Sequence, residues 1–220
     1  WANGKKQGLK SIKEIEVSLK KYCALKGISN FHWIVKNGCP GPFSLSLDEH
    51  VELIGVNSQW WNHTKDKPIP QDAACRFITD KDIREELFDI IDENINKNIL
   101  IAGHHPIQSL GNYGGRFSVG QHLLPLPIVG SIRNYYKANV GGDKDISNPR
   151  LQEYGEIMYY VILSNNNIIY ATSHEANQQI YKVEDNIYIN SGALSNPRYA
   201  GFSRDALLSE KANGIIKITY

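Results

Sequence analysis

Two short apolar runs, Ile99-Leu100-Ile101-Ala102 and Ile168-Ile169-Tyr170-Ala171, constrain this chain more than any other feature. Apolar residues at consecutive positions suit a strand covered on both faces, the condition of a parallel sheet. Between the runs, Tyr154, Ile157, Met158 and Ile162 recur at helical spacing and predict a helix from about Leu151 to Leu163. Strand, crossover helix and strand make a parallel unit with a right-handed connection. The chain is therefore expected to be an α/β protein with a parallel core.

The rest of the chain fits around that unit. Leu9, Ile12, Ile15, Leu19 and Tyr22 predict the buried stripe of a helix over Leu9 to Leu25, with Gly27 at its end. Phe43 to Leu47 and Val51 to Val56 read as a hairpin. Thr79 is a suitable N-cap, and Ile83, Leu87, Ile90, Ile91 and Ile95 mark the apolar face of a second helix. Gln179 to Val183 and Ile187 to Asn190 form a second hairpin, and Gly214 to Tyr220 is expected as a last strand. Residues 107–150 are rich in Gly and Pro with weak periodicity, and are expected to be an insertion or lid loop.

At 220 residues the chain can bury one sizeable core, so residues 1–220 are expected to form a single domain. Lys and Arg number 24 against 23 Asp and Glu, which gives no global basic field for nucleic acid. The run Leu123 to Val129, broken by Pro125 and Pro127, is far too short for a transmembrane helix, and no transmembrane segment is expected. The chain opens with Trp1 and its one methionine is Met158, so its first residue is not an initiator and further sequence is expected upstream. Cys23, Cys39 and Cys75 show no C-x-x-C spacing and are expected as buried or inert thiols.

Each central strand is followed directly by histidine: Gly103-His104-His105-Pro106 after the first, Ser173-His174-Glu175 after the second. Ligands of open α/β sheets bind beyond the carboxyl ends of the strands, so neighbouring strands would aim both segments into one crevice. Neutral imidazole is the commonest transition-metal ligand, which makes His104 and His174 candidate metal ligands. His105 is the neighbour expected to support the site or contact substrate. Gly111-Asn112-Tyr113-Gly114-Gly115-Arg116 could form a backbone nest with Arg116 as a phosphate-binding cation, or be a loop only. Trp60-Trp61 reads as core or loop packing, with a pocket or partner groove as the alternative.

These motifs resemble the last two of the calcineurin-like metallophosphoesterases, which end in a His before x-Pro and then Gly-His-x-His. Trp1-Ala2-Asn3-Gly4 followed by Gly8-Leu9 resembles what succeeds the Gly-Asn-His-Asp motif in a bacterial branch of that family. Asn57 to Trp61, Gly114 to Ser118 and Gln121-His122-Leu123 add to the likeness. The resemblance implies a sandwich of two mixed β-sheets flanked by helices, with the N-terminal motifs absent from this chain. It implies hydrolysis of phosphate esters at two divalent metals (Mn, Fe or Zn), with His104 and His174 as ligands of the second metal and no catalytic residue within these 220 positions. Ser173 stands where the family has Gly, and Ala176 where it has a His ligand of the first metal, so one metal or none is the alternative. Two functions follow: a phosphoesterase domain inactive on its own, or a degenerate fold serving as scaffold or interaction module with protein partners in a cell-envelope assembly. The branch implies an extracytoplasmic or envelope location in a Gram-negative bacterium.

Overall fold

A computed structural model describes residues 5–34, 36–69, 75–192 and 194–219. The apolar runs do become neighbouring parallel strands. In chain order the elements are α1 (Gly8–Leu25), β1 (Phe43–Ser46), β2 (Val51–Gly55), α2 (Ser58–Asn62), α3 (Asp80–Glu93) and β3 (Asn98–Ala102), then α4 (Val119–Leu123), α5 (Pro127–Asn139), α6 (Pro149–Leu163), β4 (Ile168–Thr172), β5 (Gln178–Val183), β6 (Asn186–Ser191) and β7 (Ala206–Glu210). The strands form one seven-stranded mixed sheet of order β1-β2-β3-β4-β6-β5-β7. Strands β2, β3, β4 and β6 run parallel, while β1, β5 and β7 pair antiparallel.

Register explains which residues make the core. Ile54, Ile101, Tyr170 and Tyr188 stand in one row across the parallel strands and are buried. They pack with Ile83, Leu87, Ile90 and Ile91 of α3 and with Tyr154, Met158, Val161 and Ile162 of α6. The adjacent row, Leu53, Leu100, Ile169 and Ile187, points to the other face and is only half-buried. The expectation of strands covered on both faces therefore holds for one face among the described residues.

Other expectations need correction. Helix α1 forms over the expected range, but Ile15, Leu19 and Tyr22 are exposed, while Glu16 and Cys23 are buried. The helix lies against the turn Lys36–Gly38, and the Glu16 carboxylate accepts the Asn37 amide and the Lys20 ammonium. Thr79 does cap α3, its hydroxyl accepting from Asp82 N, but the helix ends at Glu93 and leaves Ile95 in solvent. Asn94 Nδ2 donates to Ile90 O and closes that end. The last strand is Ala206–Glu210, which occupies the free edge of β5; residues 214–219 carry no regular element, and Tyr220 lies outside the described residues. Residues 107–150, expected as an insertion or lid loop, contain the turn Asn112–Gly114, α4, α5 and the start of α6. Cys39 and Cys75 form a disulfide across 36 residues, where inert thiols were expected, and Cys23 is a buried free thiol. Trp61 is core, its indole N–H donating to Asp80 Oδ1.

Candidate metal centre

The register Ala102↔Ala171 brings the ends of β3 and β4 level, so the segments that follow them meet. Gly103 N donates to Ala171 O, and both Ser173 N and His174 N donate to His104 O, locking the two turns together. A side chain at 103 would reach within 3.0 Å of the Tyr154 and Tyr170 hydroxyls, so the approach needs glycine. The Tyr170 hydroxyl donates to His105 O, and the Tyr154 and Tyr170 hydroxyls are 2.6 Å apart. A tyrosine pair at the bottom of the core thus holds the backbone that presents the histidines.

Three imidazoles converge there. Ring centroids lie 4.8 Å apart for His104 and His105, 5.0 Å for His104 and His174, and 4.5 Å for His105 and His174. One nitrogen from each falls within 4.8 Å of the others, a group able to hold a metal ion. The hydrogen bonds fix which nitrogens face inward. Lys144 O can only accept, so His174 Nε2, 2.6 Å away, carries the proton and Nδ1 carries the lone pair. His104 Nε2 donates to that lone pair at 3.1 Å, and His104 Nδ1 lies 3.2 Å from Ser173 Oγ. His105 Nδ1 lies 2.8 Å from Ser58 Oγ on α2. Each imidazole therefore has its outer nitrogen against an oxygen (Lys144 O, Ser173 Oγ, Ser58 Oγ), the arrangement that orients metal-binding histidines. Serine hydroxyls accept or donate, so His105 can expose a lone pair inward, and His104 can do so once its proton moves from Nε2 to Nδ1, where Ser173 Oγ can accept it.

Electrostatics favour the ligand form. Burial lowers all three, His174 to about 4 with the His104, Lys144 and Arg198 charges adding to it against the Lys144 carbonyl, and His105 to about 2 with its two neighbours adding. All three are neutral at pH 7. Ser173 thus supplies an orienting oxygen, and Ala176 supplies no ligand atom.

Of the two readings of Gly111 to Arg116, nest or loop only, the amides do converge on an anion, but it is one the molecule supplies itself. Tyr113 N and Gly114 N donate to Glu175 Oε1 at 2.8 and 3.0 Å, and Ser109 Oγ donates to it at 2.9 Å. Burial raises the Glu175 carboxyl above its ordinary value, against these donors. Glu175 is thereby turned into the loop. Arg116 is exposed and lines a groove with Phe117, His122 and Ile132 on the α4–α5 side. A cation beside the histidines is Arg198: its guanidinium lies over the Tyr113 ring and donates to the Tyr113 hydroxyl, and that ring lies 4.5 Å from His174. Neither Arg198 nor Lys144 stands near the histidines in sequence, and no local motif marks them.

No protein-family model matches this sequence, and no curated protein matches it. Among solved structures, it is similar to a chain described as "GAP50 the anchor in the inner membrane complex of Plasmodium", with TM-score 0.40 and 16% identity over 78% of this chain and 43% of that one. The chain thus spans less than half the length of that structure.

Proposed function

We propose that His104, His174 and His105 hold a divalent cation, and that the chain is the metal-binding part of a phosphoesterase of the calcineurin-like type. The observation that supports this most directly is the second tier of oxygens, one behind each imidazole, with one nitrogen of each ring within 4.8 Å of the others; a cation there would displace the proton now shared between His104 Nε2 and His174 Nδ1. A bound divalent cation would supply charge for a phosphoryl oxygen and lower the pKa of a coordinated water. Arg198, on the rim beside Tyr113, is the group that would bind and orient a phosphate ester. The two-sheet sandwich belongs to the same proposal, and so does a second metal, which would need ligands beyond this cluster.

Equilibrium dialysis against Zn²⁺, Mn²⁺ and Fe²⁺, with elemental analysis, tests the site; hydrolysis of an aryl phosphate by the same samples tests the activity. Bound metal that is lost in His104→Ala and His174→Ala supports the proposal, and turnover that vanishes with it extends it to catalysis. Metal-free protein without turnover would reject it. The reading then favoured is an interaction module, which the methyl group of Ala176 and the self-filled loop at Glu175 already suit.

A further inference from the structure

The α4–α5 hairpin stands apart from the rest of the fold. Helix α5 packs on α4 and on the turn Asn112–Gly114, and its buried residues are Gly130 and Asn134. Gly130 must be small because a side chain there would meet His122 O and Leu124 O at 2.5 Å. At its tip the seven residues 123–129 contain no polar side chain, and Leu124, Leu126 and Ile128 are 64%, 63% and 75% exposed. A soluble surface rarely leaves so much contiguous apolar area uncovered without a use for it.

Charge and order along the hairpin say what would cover it. No Asp or Glu occurs between Glu93 and Asp143, so the hairpin carries no acidic side chain, although the whole chain is almost neutral. Behind the tip come Arg133, exposed Tyr135 and Tyr136, and Lys137, whose ammonium reaches back to Asp145. At about 1.5 Å per residue, Arg133 to Tyr136 sit about 8–12 Å along the helix from Ile128. That spacing matches the roughly 5–10 Å to which interfacial elements enter the boundary of headgroups and acyl chains. Apolar tip, then aromatic and basic shaft, is the layering of a bilayer surface read from its interior outwards.

We infer that the α4–α5 tip is a membrane-surface anchor that inserts Leu124, Leu126 and Ile128 into an anionic lipid layer. It does not depend on the metal site. Nor does it require a spanning segment; among the described residues no helix is long and apolar enough to cross a membrane.

The test is flotation of the full chain with vesicles of phosphatidylcholine containing about 30% phosphatidylserine, and with phosphatidylcholine alone. The chain is expected to float with the anionic vesicles, more weakly with the neutral ones. Leu124→Asp combined with Leu126→Asp should weaken binding by more than about tenfold while leaving the circular dichroism and melting unchanged, because both positions are exposed. Leu126→Trp should give tryptophan emission quenched by brominated lipid beyond that of the wild type. Absence of vesicle binding, equal binding by the double Asp variant, or quenching in the Leu126→Trp variant no greater than in the wild type would overturn the inference. Sedimentation that shows a dimer abolished by the same Asp variant, without vesicle binding, would give the tip to a second copy of this chain instead.

Discussion

Replacing His105 with glutamine is expected to flatten the acid side of the stability curve. His105 is 2% exposed, and burial, reinforced by the His174 and His104 charges, pushes it down to about 2. In the unfolded chain it titrates near its ordinary value of about 6.5. Below that value the unfolded chain binds a proton that the folded one refuses, so the contribution is complete above pH 6.5 and is lost as pH falls towards 2. Each pH unit in that window costs about 1.4 kcal/mol, so this one residue removes about 2 kcal/mol between pH 7 and pH 5. Glutamine is close in size, can bond Ser58, and does not titrate. Burial also lowers His63, His104 and His174, but these remain in both proteins and cancel in the comparison. Urea unfolding at pH 7, 6 and 5, with a chelator present to keep metal out, measures the difference. The wild type should lose about 2 kcal/mol more than the variant, roughly 1 M in midpoint at an m-value of about 2 kcal/mol/M. Parallel loss in the two proteins would refute the claim that His105 is held neutral by burial.

Other perturbations follow from the same structure. Leu87→Ala, at a side chain with no exposure in the α3 face of the core, should cost about 3 kcal/mol in urea unfolding. Cys39→Ser with Cys75→Ser opens a bridge across 36 residues and should cost about 4 kcal/mol by chain entropy, read as the melting shift against the oxidised protein. Glu175→Ala strands the Ser109, Tyr113 and Gly114 donors and should cost about 3 kcal/mol or more, with faster hydrogen exchange at residues 113 and 114. Glu175→Gln keeps an acceptor and should restore most of that protection.

The central unit was legible because its signals are local. The apolar runs, the helix between them and the histidines placed directly after each strand all lie within short windows, and parallel pairing of β3 with β4 does the rest. What could not be read depends on contacts between distant residues. Nothing near Lys144 or Arg198 announces that a carbonyl and a guanidinium from those positions reach His174 and Tyr113. The pairing of Cys39 with Cys75 is a property of folded proximity, since the spacing of three cysteines does not choose a partner. The apolar period of α1 predicted a helix correctly and its buried side wrongly: period reports the conformation, whereas burial depends on which neighbour the helix meets.

The base of the α4–α5 excursion is tied by a neck. Ile146 N donates to Tyr113 O, and Ser147 Oγ donates to Lys137 O. Both parts of the excursion that touch His174, the Tyr113 ring and Lys144 O, lie at this neck. Changes of length or charge within residues 117–136, short of Lys137 and its bonds to the neck, are expected to leave the three imidazoles where they are, so that the surface of the hairpin and the chemistry at the centre can change at different rates.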